Sequence, residues 1–141
     1  MAADREAILA LHRYFVWANE MKRQFDQLLP RVSSYETAMD AFTHPYMSYW
    51  YGGLYVVTEG WQELGLSDPE IDSLLTSEHV DLLRRYRNGC FHFQADYFDE
   101  RFRDFIARQG SVGWISSLHE AFSRWFLAFF QPKPAQDEQE A

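Results

Sequence analysis

Hydrophobic residues recur at steps of three and four along most of the chain, which is the spacing typical of amphipathic α-helices. The first stripe extends from Ile8 to Leu29 and predicts one long helix, with Asp4 as its N-cap and Pro30 marking its end. Ser111 is predicted to cap the last helix, whose hydrophobic stripe comprises Ile115, Leu118, Phe122, Trp125 and Phe129. The patterned part of the chain is therefore expected to begin and end in long helices.

Start and stop signals between these two stripes predict further, shorter helices. Ser67 is predicted to cap the first of them, because Pro69 follows at a position typical of a first helical turn. Another helix is predicted to begin at Ser77. Asp96 is predicted to cap a helix over residues 97–108, which a Gln-Gly pair ends.

Two interpretations are open for the aromatic segment at residues 46–57. The pair Gly52 and Gly53 lies between two aromatic runs and would suit the turn of a β-hairpin. A helical ladder competes with that interpretation, formed by Met47, Trp50, Leu54, Val57 and Trp61. The helix is favoured because the ladder continues beyond the glycines, and helical glycines are tolerated where another backbone packs closely.

Long helices joined by short connections predict an all-α fold, a four- to six-helix bundle. Residues 1–130 are expected to form a single domain, with residues 31–43 as a polar and weakly periodic connection. Residues 131–141 contain two prolines and three acids, and they are predicted to form a short disordered tail.

Composition narrows the classes of protein to which the chain can belong. Lys and Arg total 13 and Asp and Glu total 21, so the formal net charge is −8, which excludes a broad surface that coats nucleic acid. Cys90 is the single cysteine, which excludes a disulfide framework and a cysteine-based zinc site. Glu-x-x-His pairs and Gly-rich phosphate loops are missing from the sequence, so neither a metal nor a cofactor is expected.

A membrane span is not expected. The most apolar stretch, residues 112–130, contains His119, Glu120 and Arg124, and charged groups in a bilayer are costly. Charged residues also interrupt the N-terminal apolar stretch, which is therefore not a signal peptide. The sequence predicts a cytoplasmic protein, and a single thiol is compatible with a reducing compartment.

One segment, residues 82–93, concentrates positive charge in an acidic chain. It carries Arg84, Arg85 and Arg87 and no acid, and His92 follows Arg87 by five positions. On a straight helix these two would face about 140° apart. They are expected to converge if the Asn-Gly pair at residues 88–89 bends or ends the helix.

These residue types suit the cleavage of a phosphodiester. Histidine titrates near neutral pH and exchanges protons, and arginine binds phosphate oxygens through a planar fork. Asn88 lies four residues before His92, on the same helical face, and would orient a hydroxyl or phosphate oxygen by hydrogen bonding. A purely structural interpretation stays open, with the arginines paired to carboxylates such as Asp81 and the histidine packed between Phe91 and Phe93.

The run Arg-Asn-Gly-Cys-Phe-His at residues 87–92 resembles the Arg-x(4–6)-His motif of the HEPN superfamily, the nucleotide-binding domains of higher eukaryotes and prokaryotes. That resemblance implies a HEPN-like helical bundle that acts as a metal-independent endoribonuclease in toxin or phage-defence systems. It implies a homodimer whose two motifs share a cleft. In that cleft His92 would be the general acid/base, Arg87 would bind the scissile phosphate, and Asn88 would support it.

The resemblance leads to further expectations about RNA and protein partners. Arg84, Arg85 and, on the predicted second helix, Glu59 are candidate substrate-binding residues. Two copies of the segment would place six arginines in one region, a local positive cleft. An antitoxin or regulatory protein is an expected partner. The alternative function is a catalytically inactive interaction or nucleotide-binding module, and a Cys90 nucleophile is a minor rival.

Overall fold

The structure, a computed structural model, describes residues 4–31 and 43–132. Within these residues the chain forms six α-helices and no strand, which confirms the predicted all-α bundle. In chain order the helices are α1 (Arg5–Leu28), α2 (His44–Glu63), α3 (Pro69–Leu74), α4 (His79–Phe91), α5 (Glu100–Ala107) and α6 (Ser111–Phe130). A short 3-10 helix, Leu29–Arg31, follows α1.

Helices α1 and α2 pack against each other along their length, and glycines allow their close approach. A Cβ atom added at Gly53 would lie 3.1 Å from the Cβ of Ala18, and one added at Gly60 would lie 2.5 Å from Cδ1 of Leu11. The aromatic segment at residues 46–57 is therefore helical, as favoured, and no hairpin forms there. The two central glycines are used for packing rather than for a turn.

All six helices contribute to one cluster of buried residues, which is rich in aromatic side chains. Tyr51 of α2 meets Tyr86 of α4 and Phe105 of α5 edge to face, with ring centroids 5.5 and 5.4 Å apart. Ten residues further along α2, Trp61 packs against Phe122 of α6. Because aromatic pairs prefer such tilted geometries, these contacts join α2 to three other helices with defined orientations.

Two predicted N-caps are displaced, one by a single residue and the other by three. Asp68 rather than Ser67 caps α3, because its carboxylate reaches two backbone N–H groups at 3.1 Å. Asp99 rather than Asp96 caps α5, which is consequently shorter than the predicted helix over residues 97–108. For α3, a carboxylate accepts from exposed N–H groups more strongly than a hydroxyl and suits the positive helix end. Asp96 instead accepts from the backbone N–H of Phe98 at 3.0 Å, before α5 begins.

The start of α6 shows a different correction. Gly110 occupies its cap position with a positive φ of 84°, a conformation that favours glycine. The Ser111 hydroxyl instead donates to the carbonyl oxygen of Phe105 at 2.7 Å, which connects α6 to α5. Ser111 is therefore the first helical residue and not the cap.

Two expectations fall largely outside the described residues, namely the connection at residues 31–43 and the tail at residues 131–141. Among the helices that the structure describes, none is both long and apolar enough to cross a membrane.

Candidate functional site

Helix α4 carries the candidate residues and is held by buried side chains between α2 and α5. Leu83 and Tyr86 are fully buried on its inner side. Gly89 faces α5, where an added Cβ would lie 3.1 Å from the ring of Phe102. The helix does not end at the Asn-Gly pair, since α4 continues to Phe91. Gly89 is used for the approach of α5.

His92 leaves the helix directly after its last residue. Its backbone N–H still donates to the carbonyl oxygen of Asn88 at 3.0 Å, but its own φ of −122° and ψ of 126° are extended. The residue is exposed, and its imidazole forms no hydrogen bond within the described part of the chain. The chain therefore leaves the helical path at His92 itself, three residues after Gly89.

Arg87 is held in place by groups on two helices. Its guanidinium carbon lies 4.6 Å from the ring centroid of Tyr55, which belongs to α2. Its Nε donates to Oδ1 of Asn88 at 3.1 Å, and its Nη1 lies 3.6 Å from a carboxylate oxygen of Glu59. Only 24% of its side chain is exposed. The guanidinium is therefore oriented before any ligand binds.

The backbone of α2 lies directly beneath the end of α4. A Cβ added at Gly52 would lie 2.7 Å from the ring of Phe91 and 3.6 Å from Cγ of Arg87. Glycine at this position lets the stem of Arg87 and the ring of Phe91 rest on the helix backbone. Tyr55 follows Gly52 by about one turn on the same face of α2, and its ring lies beneath the guanidinium.

The three arginines of the segment do not form the single cluster that was expected. Arg84 bonds to Asp81 through Nε at 3.0 Å and Nη2 at 2.7 Å, and this bond raises its pKa. Arg85 pairs with Asp104 of α5 and lies about 200° around the helix from Arg87. Because Arg85 is turned towards α5, the structure does not bring it together with Arg87. Substrate binding by Arg84 and Arg85 stays a prediction.

One row along α4 does place candidate groups together. Arg84, Asn88 and His92 follow at four-residue steps, so they lie along one side of the helix and at its end. Asn88 connects this row to Arg87 through the hydrogen bond at Nε. The Arg-Asn-His combination that was predicted from the sequence is therefore compatible with a common site.

Glu59 lies on α2 beside Arg87, with 56% of its side chain exposed. Its carboxylate would repel a phosphate, so a role in substrate binding would be to accept a hydrogen bond from a hydroxyl group. Tyr55 was not predicted as a site residue. The available signal was its position four residues before Glu59 on the same helical face. Burial and the Glu59 charge raise the pKa of Tyr55, so its phenol is neutral at neutral pH.

Exposed aromatic residues surround this end of α4. Tyr49 and Phe91 contact each other with ring centroids 5.7 Å apart, and Phe93 is 93% exposed. Tyr49 and Phe91 border a groove of about 330 Å³ between α1, α2 and α4, to which Tyr14 and Trp17 of α1 also contribute. Apolar surface of this kind is typical of sites that bind a partner.

The Cys90 thiol is a poor candidate nucleophile. It lies half-buried near Tyr86 and Ser48, and burial raises its pKa, which disfavours the reactive thiolate. No group of three or more potential metal ligands occurs within the described ranges.

Comparison with known proteins adds no relative to this description. No protein-family model matches the sequence, and no curated protein or solved structure matches it either. The HEPN resemblance therefore depends on the motif at residues 87–92 and the helical fold, and it stays a hypothesis.

Proposed function

We propose that the protein is a metal-independent, HEPN-type endoribonuclease that acts as a cytoplasmic homodimer in a toxin or phage-defence system. The observation that carries the proposal is the arrangement around Arg87. Its guanidinium is oriented by Asn88 and by α2, and the exposed His92 lies at the end of the same helix. An oriented cation and a solvent-accessible imidazole on the same segment are two of the groups that phosphodiester cleavage uses.

The reaction would use the ribose 2′-hydroxyl as the nucleophile. A base removes its proton while its oxygen attacks phosphorus, the bond from phosphorus to the 5′-oxygen breaks, and an acid protonates that oxygen. The products are a 2′,3′-cyclic phosphate and a 5′-hydroxyl. Arg87 would stabilise the charge on the non-bridging oxygens, and the two His92 side chains of a homodimer would supply the base and the acid.

A second copy of the chain would bind through the aromatic surface beside His92. Phe93 and the Tyr49–Phe91 pair lie next to the site, so a dimer that covers them would also bring two His92 residues towards one cleft. The acidic chain and the internal pairing of Arg84 and Arg85 favour a narrow cleft over a broad RNA-binding surface.

The alternative function is a catalytically inactive interaction or nucleotide-binding module. The exposed aromatic surface favours it, because such a surface also suits a different protein partner. The two functions differ in one measurable property, which is RNA cleavage that depends on His92.

The test is cleavage of a fluorescent RNA oligonucleotide in EDTA by the wild-type protein and by the His92→Ala and Arg87→Ala variants. We expect each substitution to lower the rate by about 100-fold or more, since a general acid or base contributes about 10²–10⁴. His12→Gln on α1 is the matched control and should retain activity. Equal rates for the wild type and His92→Ala would refute the assignment.

A growth assay separates the enzyme from the interaction module. Expression of the wild-type protein should slow growth, and His92→Ala should abolish the effect. Binding of a partner with no cleavage, unchanged in His92→Ala, would support the alternative. Sedimentation of the wild-type protein as a monomer over the concentrations used for cleavage would contradict the homodimer.

A further inference from the structure

The contact between Tyr55 and Arg87 is the closest of the cation–aromatic contacts in the described structure. The guanidinium carbon lies 4.6 Å from the Tyr55 ring centroid, whereas Lys22 lies 5.3 Å and Arg5 and Arg13 lie 5.6 to 5.9 Å from the rings that they approach. Tyr55 is also only 8% exposed, so its ring has little freedom to move away. The Arg87 contact therefore differs from the looser contacts at the surface.

Three contacts together define the path of the Arg87 side chain. Its stem passes over Gly52, its guanidinium carbon lies over the Tyr55 ring, and its Nε donates to Asn88. Gly52 and Tyr55 are three residues apart on α2, so both lie on the face that meets α4. Removing any one contact would leave the guanidinium with fewer constraints.

Stacking on a ring face leaves the N–H groups of a guanidinium available. Arginine has five such donors in one plane, and a ring beneath that plane uses none of them. The side-chain oxygen of Asn88 accepts a hydrogen bond from the Nε–H of Arg87. A carboxylate oxygen of Glu59 lies 3.6 Å from Nη1, and this distance is longer than an ordinary hydrogen bond. The ring can therefore fix the plane of the fork while its other donors remain available for phosphate oxygens.

We infer that Tyr55 is a positioning residue for Arg87, whose aromatic ring holds the guanidinium in the plane in which it meets the scissile phosphate. This inference rests on the proposed ribonuclease function. It assigns the role to the ring of Tyr55 rather than to its hydroxyl. Substitutions that retain the ring and those that remove it should therefore behave differently.

The first experiment compares Tyr55→Phe with Tyr55→Leu by steady-state kinetics on the same RNA oligonucleotide. Tyr55→Phe should stay within about twofold of the wild type. Tyr55→Leu should lower kcat at least tenfold with little change in KM and an unchanged pH profile, because His92 is untouched and a misplaced cation weakens transition-state stabilisation. Tyr55→Met replaces Tyr55→Leu if the latter does not fold.

The matched control removes a comparable contact elsewhere. The ring centroid of Phe129 on α6 lies 5.9 Å from the guanidinium carbon of Arg5. Phe129→Leu therefore deletes an arginine–aromatic contact that does not involve Arg87. We expect its kcat to equal that of the wild type. In an Arg87→Ala background, Tyr55→Leu should cause no further loss, because the ring acts through the guanidinium. An additional loss there, or wild-type kcat in Tyr55→Leu, would overturn the inference.

A second measurement is independent of catalysis. It is the NMR signal of the Nε–Hε group of Arg87, which is identified by its disappearance in Arg87→Ala. In the wild type and in Tyr55→Phe, this signal should be shifted by the ring current of residue 55, and its relaxation should show that the group is immobile. Tyr55→Leu should lose both properties, and an unaltered signal would refute the positioning role. If the wild-type protein cleaves no RNA, the proposed function fails while this measurement still decides whether Tyr55 orients Arg87.

Discussion

Lowering the pH should destabilise this protein through one buried histidine, His119 of α6. The residue is 3% exposed and lies between α1 and α2. The indole N–H of Trp50 donates to its Nδ1 at 3.0 Å, and because an indole is only a donor, the ring proton must lie on Nε2. Nε2 then donates to Oδ1 of Asn19 at 2.9 Å. If Nδ1 of His119 were protonated, its N–H would face the indole N–H of Trp50, and two donors cannot form a hydrogen bond with each other.

The magnitude follows from the pKa of His119. Burial, with a smaller contribution from the Lys22 charge, lowers that pKa from 6.5 to about 4. The unfolded chain therefore binds more protons than the folded chain between these values, so stability is complete above 6.5 and is lost as the pH falls towards 4. Integrated from pH 7.5 to 5.0, the loss is about 2 kcal/mol of the free energy of unfolding.

The assay is urea unfolding followed by tryptophan fluorescence across that pH range. Asp68, Asp72 and Asp99 have lowered pKa values, so their contributions fall outside the range. The half-buried His12 has a pKa lowered by burial and adds in the same direction. His119→Gln keeps a donor and an acceptor but does not titrate, so it should lose most of the slope. An equal slope in the wild type and His119→Gln would refute the reasoning.

Two further predictions concern helix packing and the thiol. Gly53→Leu should lower the free energy of unfolding by about 1–3 kcal/mol, because the added side chain would separate α1 from α2. The control is Gly113→Leu, since nothing lies within 4 Å of a Cβ added there, and it should be neutral or stabilising. Urea unfolding measures both effects. Equal costs would contradict the packing role of Gly53. Cys90 should react with a disulfide reagent at pH 7.5 at least tenfold more slowly in the native protein than in urea, because burial raises its pKa; equal rates would contradict this.

The fold class followed from periodicity because helix formation depends on neighbours three and four residues apart. The stripe from Ile8 to Leu29 predicted α1 with its Asp4 cap, since both the stripe and the cap are local features. Helix starts were less accurate. Ser67, Asp68 and Asp72 all carry side chains that can bond near a helix start, and the choice among them depends on which backbone groups each reaches in the folded chain.

Some features of the candidate site could likewise be predicted from the sequence, and others could not. Sequence spacing alone places Asn88 four residues before His92, and residue type alone gives His92 and Arg87 their chemistry. The spacing also places Arg85 and Arg87 on different sides of any helix, because a helix has 3.6 residues per turn. A count of the arginines in the segment does not show this separation. The expected positive cleft depended on counting charges, and counting does not reveal that Asp104 on another helix pairs with Arg85.

What the sequence by itself determined was the all-α class, the extent of the long helices and the residue types available for chemistry, because these depend on local periodicity and on side-chain identity. Only the tertiary structure decided that Tyr55 lies beneath Arg87, that Gly52 and Gly89 serve as contact points for neighbouring elements, and that His119 is buried. Each of these arises from residues far apart in the chain. Their contacts depend on how helices pack, and a single sequence carries no local signal for that geometry.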